Sequence, residues 1–294
     1  NYTTSGTVYA IRGTDCYIMW SVNTGYYLVT PAAGELNPFS PGLEIAVTRV
    51  DEYLVVLRGT DGNSMWNRYM GGYGNIAPPT IFDADGDGIG EVYVVGDSMF
   101  ALNGIDGSTI WSYPASACVS LSGYKASFVA IGDINNDGQY EVVTTGVISG
   151  SCHLIVLRAT DGTFMWSYDI GYHGNPAIAD LDNDGYDEIV VATIAGMIYV
   201  FRYNGTSYWS RNMSYGGYWA MNSPTIADVN GDGYREIFYG QYQGTSFCYN
   251  SKVHALRGTD GSTIWTYSGG PCSGYQNSGR KLADLDNDGE IELI

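Results

Sequence analysis

A nine-residue acidic loop recurs five times along the chain and constrains the fold more than any other feature. Each copy has Asp or Asn at positions 1, 3 and 5, Gly at position 6 and Glu at position 9. The copies span residues 83–91, 133–141, 180–188, 228–236 and 284–292. Side-chain oxygens at this spacing, together with a glycine that permits a sharp bend, suit a calcium ion.

We expect each loop to bind one calcium ion, so that the chain holds five. An Asp/Gly turn between two strands would need no metal, but five copies that keep all four side-chain positions favour the ion. The ligands would be the side chains at positions 1, 3, 5 and 9 and the backbone carbonyl at position 7. These residues are Asp83, Asp85, Asp87, Ile89 and Glu91; Asp133, Asn135, Asp137, Gln139 and Glu141; Asp180, Asp182, Asp184, Tyr186 and Glu188; Asp228, Asn230, Asp232, Tyr234 and Glu236; and Asp284, Asp286, Asp288, Glu290 and Glu292.

The net charge of −18 belongs to these loops. Positions 1, 3, 5 and 9 of the loops hold 18 of the 31 acidic residues, and the other 13 acids equal the 13 Lys and Arg residues in number. No basic stripe remains to neutralise phosphates, so we expect no nucleic acid partner. The longest apolar stretch, residues 189–201, is interrupted by Gly196 and is too short for a membrane helix, so we expect no membrane insertion.

A second repeat alternates with the acidic loop. It consists of an apolar strand, a tight turn of the Thr-Asp-Gly type and a second strand that ends at a tryptophan, a pattern typical of β-hairpins. Its copies end at Trp20, Trp66, Trp111, Trp166, Trp209 and Trp265. Loop and hairpin together make a four-stranded unit of roughly 45–55 residues, which is typical of a propeller blade.

The sequence therefore predicts an all-β fold, a six-bladed β-propeller of four-stranded antiparallel blades forming one domain over residues 1–294. The N- and C-terminal strands would complete one shared blade and leave no open sheet edge. The same split could instead pair neighbouring molecules in a filament. The predicted blades are 284–294 with 1–22, 31–69, 80–113, 130–168, 178–209 and 226–267.

The second predicted blade departs from the repeat. Its loop, read as residues 36–44, keeps only the closing Glu44 and contains two prolines. We therefore expect this blade to bind no metal.

The SPTIADVNGDGYREI segment from Ser223 and its four counterparts resemble the FG-GAP or VCBS repeat of integrin-type and microbial extracellular propellers. The ALRGTDGSTIWTY hairpin from Ala255 and its counterparts resemble the tryptophan-docking repeat of quinoprotein propellers. This resemblance implies a propeller fold, bound calcium and a secreted or cell-surface location.

A Gly-Tyr pair recurs in the connections between blades, on the face opposite the acidic loops. These aromatic side chains could stack on a sugar or contact a protein partner, or they could pack one blade against the next. The candidate partner-binding residues are Tyr73, Tyr124, Tyr172, His173, Tyr218, Trp219 and Tyr275.

An arginine recurs near the hairpin turns. It could pair with the loop carboxylates or brace its own turn through an aspartate. The arginines are Arg12, Arg58, Arg158, Arg202 and Arg257, and the turn aspartates are Asp15, Asp61, Asp161 and Asp260.

Four cysteines fall in connections on the Gly-Tyr face, and we expect the disulfides Cys118–Cys152 and Cys248–Cys272, as in proteins of oxidising compartments. Cys16 lies in a turn on the loop face. It could be buried and inert or linked to another chain.

Catalysis has few candidates in the sequence. The three histidines lie in different units, and no serine elbow or Cys-His pair is visible. We therefore expect a non-catalytic extracellular propeller that is stabilised by calcium. It would act in cell-surface adhesion or recognition by binding a protein or a glycan, or it would assemble with copies of itself, for example as a filament subunit. The alternatives are a calcium-dependent polysaccharide lyase or glycan-binding propeller and, from the hairpins alone, a quinone-dependent oxidase.

Overall fold

The structure is a computed structural model of the chain. It describes residues 6–71, 77–118, 127–213, 218–220, 223–243, 250–269, 282–283 and 292–293. The chain forms two compact units: Asn1–Val129, Thr145–Cys152 and Leu157–Met165 in the first, and Ala130–Thr144, His153–Val156 and Trp166–Ile294 in the second. In this described part, no helix is long and apolar enough to cross a membrane.

The first unit contains a hairpin and two complete antiparallel sheets. The hairpin pairs β1 (Thr7–Ile11) with β2 (Ile18–Asn23). The first sheet has the order β3 (Ala32–Gly34), β4 (Glu44–Thr48), β5 (Tyr53–Arg58) and β6 (Ser64–Tyr69). The second has the order β7 (Thr80–Phe82), β8 (Glu91–Val95), β9 (Met99–Leu102) and β10 (Thr109–Tyr113).

A further sheet follows in the chain with the same strand order. It consists of β11 (Val129–Gly132), β12 (Glu141–Ile148), β13 (Ser151–Arg158) and β14 (Phe164–Asp169).

The second unit contains the next two sheets and a short terminal pair. One sheet has the order β15 (Gly174–Ala179), β16 (Glu188–Thr193), β17 (Met197–Phe201) and β18 (Ser207–Asn212). In the other, β19 (Tyr218–Ala220) and β20 (Thr225–Ala227) pair with successive stretches of β21 (Glu236–Gln243), followed by β22 (Asn250–Arg257) and β23 (Thr263–Gly269). The terminal pair is β24 (Leu282–Ala283) with β25 (Glu292–Leu293).

The burial of each strand depends on its position within the blade. The second strands β8 and β16 are apolar after their first glutamate except for a final Thr in β16, and every one of their residues is buried, as expected for strands covered on both faces. The fourth strands alternate between exposed and partly buried residues, as in β18. The core therefore lies along the inner two strands of each sheet.

The hairpin tryptophans connect neighbouring sheets by a repeated contact. Trp111 Nε1 donates a hydrogen bond to the carbonyl of Ala159 at 2.7 Å, and its ring lies against Gly162 in the next hairpin turn. Gly162 has a φ of +70°, and a Cβ there would stand 2.7 Å from the indole. Only glycine satisfies both conditions. The same contact joins Trp20 to Gly62, Trp66 to Gly107, Trp166 to Gly205 and Trp209 to Gly261.

The predicted fold class, an all-β propeller of four-stranded antiparallel blades, is confirmed. The described residues form four such sheets, a fifth sheet in which β19 and β20 both pair with β21, and, near the two ends of the sequence, the two-stranded sheets β1–β2 and β24–β25. The joining of these two short sheets into one shared blade stays a prediction, and so does the single-domain organisation.

The disulfide Cys118–Cys152 forms as predicted, with the two α-carbons 5.8 Å apart. Both cysteines are buried. Cys16 is a free and exposed thiol. Its φ of 58° occupies the left-handed turn position at which the other hairpins have glycine. Cys248 and Cys272 lie outside the described residues.

Candidate metal sites

Each acidic loop joins the first strand of a sheet to the second, and strand register brings its two ends together. The residue before the loop pairs directly with the closing glutamate: Phe82 with Glu91, Ala179 with Glu188 and Ala227 with Glu236. The side chains at positions 1 and 9 therefore start from adjacent points of the sheet edge.

The closing glutamates of the described loops each make the same kind of hydrogen bond. In every described loop the Oε2 atom accepts from the backbone N–H at position 2, which fastens the start of the loop to the second strand. The pairs are Ala84 with Glu91 at 2.9 Å, Ile134 with Glu141 at 3.1 Å, Leu181 with Glu188 at 2.9 Å and Val229 with Glu236 at 3.1 Å. All four glutamates are buried.

The aspartate at position 1 shapes the turn. In the first loop Asp83 accepts hydrogen bonds from the N–H groups of Gly86 and Gly88 at 2.8 and 2.9 Å. The position-6 glycines have φ between 83° and 88° in the four described loops. Position 4 is also left-handed, with φ of 54° to 77°, and holds only Gly or Asn there. These are the residues that adopt this backbone region at least cost.

The first loop gathers four carboxylates. One oxygen from each of Asp83, Asp85, Asp87 and Glu91 lies within 4.8 Å of the others. Burial raises the pKa of Glu91, and the charges of Asp85 and Asp83 raise it further. The Tyr93 hydroxyl, 3.4 Å from Glu91 Oε2, has a pKa raised by its own burial and by this carboxylate. A cation at this position would offset the mutual repulsion of the cluster.

The third loop gathers Asp180, Asp182 and Glu188 within the same distance. Asp180 Oδ1 and Asp182 Oδ1 are buried and accept no hydrogen bond from the described residues. Burial raises the pKa of Glu188 to about 7, and the neighbouring charges of Asp182 and Asp184 add to this shift. Buried, unpartnered carboxylate oxygens are the donors that a hard divalent cation takes, so the residues fit such an ion.

The second and fourth loops have Asn at position 3. They keep the same backbone hydrogen bonds, including Asn135 Oδ1 with the Asp137 N–H at 2.9 Å and Asn230 Oδ1 with the Asp232 N–H at 2.8 Å. Within the described residues, the two acidic clusters above are those that meet the 4.8 Å spacing. Four of the five predicted ligands of the fifth loop, Asp284, Asp286, Asp288 and Glu290, lie outside the described residues, and only the backbone of Glu292 is described.

The loop of the second predicted blade differs from the sequence-based alignment. Gly34 pairs with Glu44 in the register, so Glu35 stands where the other loops have their first aspartate. Asn37 Oδ1 accepts from the Phe39 N–H at 3.1 Å, the bond made by position 3 elsewhere. The loop thus contains one extra residue, and it keeps Glu35 and Asn37 as well as Glu44. The predicted loop 36–44, with Glu44 alone retained, is therefore wrong by this one residue.

The repeated arginine takes both of the roles considered for it. Arg12 and Arg58 brace their turns by pairing with Asp15 at 3.2 Å and Asp61 at 3.0 Å. Arg202 instead turns to the third loop, where it contacts Asp182, Asp184 and Glu188 at 3.1, 2.8 and 3.4 Å respectively. Its own hairpin turn carries Asn204 and lacks the bracing aspartate.

The predicted partner face is only partly described. Tyr172 is exposed, whereas His173 beside it is buried, with 6% of its surface accessible. The His173 side chain is therefore largely covered by its neighbours, and its contact with a partner stays a prediction. Tyr73, Tyr124 and Tyr275 lie outside the described residues, and Tyr218 and Trp219 are described only in their backbone as part of β19.

His254 is buried and serves the core. Its Nδ1 and Nε2 atoms lie 2.9 Å from Thr266 Oγ1 and 3.0 Å from Gln241 Oε1. Burial lowers the pKa of His254 to about 4, so the ring is neutral at physiological pH.

Comparison with known proteins identifies the repeat. Residues 180–239, which include the third and fourth loops, match the FG-GAP-like repeat family. Over 178 residues the chain is 25% identical to protein FAM234B of Homo sapiens, a match that covers 52% of this chain and 27% of that protein. The chain thus spans about a quarter of the length of the curated relatives it matches.

Many solved structures have a similar fold, and two of them illustrate it. The biofilm matrix protein Bap1 of V. cholerae has a TM-score of 0.62 at 20% identity, over 83% of this chain and 40% of that chain. Rhamnogalacturonan lyase PL11 of Bacillus licheniformis has a TM-score of 0.62 at 15% identity, over 93% of this chain and 56% of that chain. At these identities the similarity establishes the propeller fold.

Proposed function

We propose that this chain is a non-catalytic, calcium-stabilised propeller that acts outside the cell in adhesion, recognition or self-assembly. The observation that carries the proposal is the cluster of Asp83, Asp85, Asp87 and Glu91 in the first loop. Its carboxylates close the loop through hydrogen bonds to backbone N–H groups. A cation held there would stabilise the connection between two strands, which is a structural role.

The extracellular setting has two supports. The buried disulfide Cys118–Cys152 is typical of proteins from oxidising compartments. The fold is also similar to that of a biofilm matrix protein. Extracellular calcium modules bind with dissociation constants of about 10⁻⁴ to 10⁻³ M, a range that extracellular calcium would saturate.

Calcium dependence is tested by thermal melting of the metal-stripped protein with and without added calcium. One ion at 100 times its dissociation constant adds roughly 2.7 kcal/mol to the free energy of unfolding. Several such ions would contribute as much as the whole stability of an ordinary domain, about 5–15 kcal/mol. We expect a large rise in Tm with calcium and a smaller one with magnesium. A melting curve insensitive to both ions would refute structural calcium.

Recognition is tested by binding to glycan and extracellular protein arrays, with light scattering for self-assembly. The exposed Tyr172 belongs to the face that we propose for a partner, and Tyr172→Ala is the first variant to compare with wild type. Binding that survives this substitution would place the contact elsewhere. A glycan would stack on aromatic rings, whereas self-assembly would make scattering depend on protein concentration.

A calcium-dependent polysaccharide lyase is the second candidate, favoured by the fold similarity to the rhamnogalacturonan lyase. It is tested by incubation with uronic-acid polysaccharides in calcium. Formation of unsaturated products that absorb in the ultraviolet would replace the non-catalytic proposal, and a flat absorbance trace would support it.

A further inference from the structure

Glu44, the closing glutamate of the degenerate loop 35–44, is fully buried at 0% exposure. Its Oε2 accepts hydrogen bonds from the N–H groups of Leu36 and Asn37 at 2.9 and 3.1 Å. Its Oε1 is buried and has no hydrogen-bond partner among the described residues. A buried carboxylate oxygen without a partner is destabilising, so this oxygen calls for a hydrogen-bond donor or a cation.

The corresponding oxygens of two other loops have such partners. Glu188 Oε1 lies 3.4 Å from Arg202, and Glu236 Oε1 lies 3.4 Å from the amide nitrogen of Asn230. Arg58 faces Glu44 in the strand register, in the manner of Arg257 and Glu236. However, the Arg58 guanidinium is paired with Asp61 at 3.0 Å in the exposed turn. The neighbouring protein cation is therefore engaged elsewhere.

Two more oxygens of the same loop are buried and unpartnered among the described residues: Glu35 Oε1 and Ser40 Oγ. Glu35 follows Gly34, the register partner of Glu44, and precedes Leu36, whose N–H the Glu44 carboxylate holds. Both glutamates therefore lie next to the backbone at Leu36, Glu35 along the chain and Glu44 through its hydrogen bond. The Glu35 carbonyl is fixed in turn by the Gly90 N–H at 2.7 Å.

We propose that this loop is a sixth cation site, which binds calcium through Glu35, Asn37, Ser40 and Glu44. Two carboxylates, an amide oxygen and a hydroxyl are hard donors of the kind calcium takes, and a carbonyl or water can complete its six to eight ligands. The side chain at the usual fifth position, Phe39, points to solvent with 87% exposure. The inserted residue places Ser40 next to Phe39, and the Ser40 hydroxyl would bind the ion in place of the missing side-chain ligand.

The prolines that made this loop look unsuited to metal have a different effect. Pro38 and Pro41 restrict φ on either side of Phe39 and Ser40. The unbound loop then has fewer conformations to lose, and the entropy cost of ordering it around an ion decreases. The loop replaces the flexible Asn/Gly turn of the other copies with a preformed one.

The test counts calcium ions per chain by equilibrium dialysis against about 1 mM calcium, followed by elemental analysis of metal-stripped and reloaded protein. The variants are Glu35→Gln and Glu44→Gln. The control is Glu52→Gln, which removes the same charge from the β4–β5 turn of the same blade. We expect the loss of one calcium per chain in each loop variant and no loss in the control.

Glu35→Gln keeps the test decisive, because the buried Glu35 Oε1 has no hydrogen-bond partner among the described residues and its replacement should leave folding intact. In metal-free buffer we expect this variant to melt at or above the wild-type Tm, since one like charge beside Glu44 is removed. In calcium we expect it to melt below wild type.

Wild-type stoichiometry in Glu35→Gln would overturn the sixth site, as would an equal decrease in Tm with and without calcium, which indicates a structural role only. Either result would leave the proposed function standing if the wild type binds calcium elsewhere. A wild-type protein that binds no calcium would overturn both proposals.

Discussion

Arg202 Nη1 donates a hydrogen bond to Asp184 Oδ2 at 2.8 Å, within a loop whose spacing is that of a calcium site. The same guanidinium reaches Asp182 and Glu188. In this blade a protein cation and a metal ion would share one set of carboxylates. In the blade β3–β6 the equivalent arginine, Arg58, pairs with Asp61 of its own hairpin turn instead of with a loop carboxylate.

Replacement of Arg202 by Gln should therefore strengthen calcium binding at the third loop. Removing the competing guanidinium should lower the dissociation constant for calcium severalfold. The decrease would be roughly tenfold if the arginine contacts cost calcium binding about 1.4 kcal/mol. Calorimetric titration of the metal-stripped protein measures this change. Arg58→Gln is the matched control and should leave the affinity of the third loop as it is. Binding in Arg202→Gln that is equal to or weaker than wild type would contradict competition.

The pH dependence of the metal-free protein should show the burial of Glu188. Its folded pKa is raised by burial to about 7 from the ordinary glutamate value of 4.5, so the folded state binds the proton more tightly than the unfolded state. This contribution to stability is complete below about pH 4.5 and is lost as pH rises through about 7. Between about pH 8 and pH 5 the Tm should rise on acidification. Glu188→Gln should flatten that rise; an unchanged slope would rule out Glu188 as its source.

Calcium should reverse this trend at the same loop. An ion requires the ionised carboxylate, so protons compete with it as pH falls below about 7. The Tm gain on adding calcium should shrink between about pH 7 and pH 5, and melting at fixed calcium concentration measures this gain. A gain independent of pH would show that Glu188 is not a ligand.

Gly162→Ala should destabilise the protein through the tryptophan contact. A Cβ at this position would stand 2.7 Å from the Trp111 ring, and we expect a loss of about 1–3 kcal/mol in the free energy of unfolding. Gly171→Ala is a matched control, because Gly171 has a φ of +71° against +70° for Gly162 and open space at its Cβ position. Equal losses in the two variants by denaturant unfolding would attribute the effect to backbone strain alone.

Removal of the disulfide by Cys118→Ala with Cys152→Ala should lower the free energy of unfolding. The bridge closes a sequence separation of 34 residues, for which loop entropy gives about 3–4 kcal/mol. The Tm in reductant should fall to that of the double variant. Cys16→Ser should not change it, since that thiol is free and exposed. A wild-type Tm unaffected by reductant would contradict a structural bridge.

Local patterns predicted most of the architecture. The alternation around each Thr-Asp-Gly turn predicted hairpins such as β9–β10, because strand periodicity and turn chemistry depend on residues close in sequence. The acidic loops were located for the same reason, since a nine-residue spacing with Gly at position 6 determines a local bend. The need for Gly or Asn at position 4 is visible in the sequence as well, since all five copies hold one of these two residues there.

Spacing along the chain did not predict the one-residue insertion in the loop between β3 and β4. A fixed spacing counted from Glu44 placed Leu36 at position 1, whereas the pairing of Gly34 with Glu44 places Glu35 there. Register between strands depends on hydrogen bonds across the sheet, which spacing along the chain does not contain.

The sequence by itself determined the blade repeat, the turn residues and the chemical nature of the acidic loops, because these follow from local backbone preferences and donor spacing. Only the tertiary structure decided that Arg202 joins a loop while Arg58 braces a turn, that His173 is buried while Tyr172 is exposed, and that Glu44 keeps an unpartnered oxygen. Each of these outcomes depends on which groups distant in sequence come within a few ångströms, and on the water that their packing excludes.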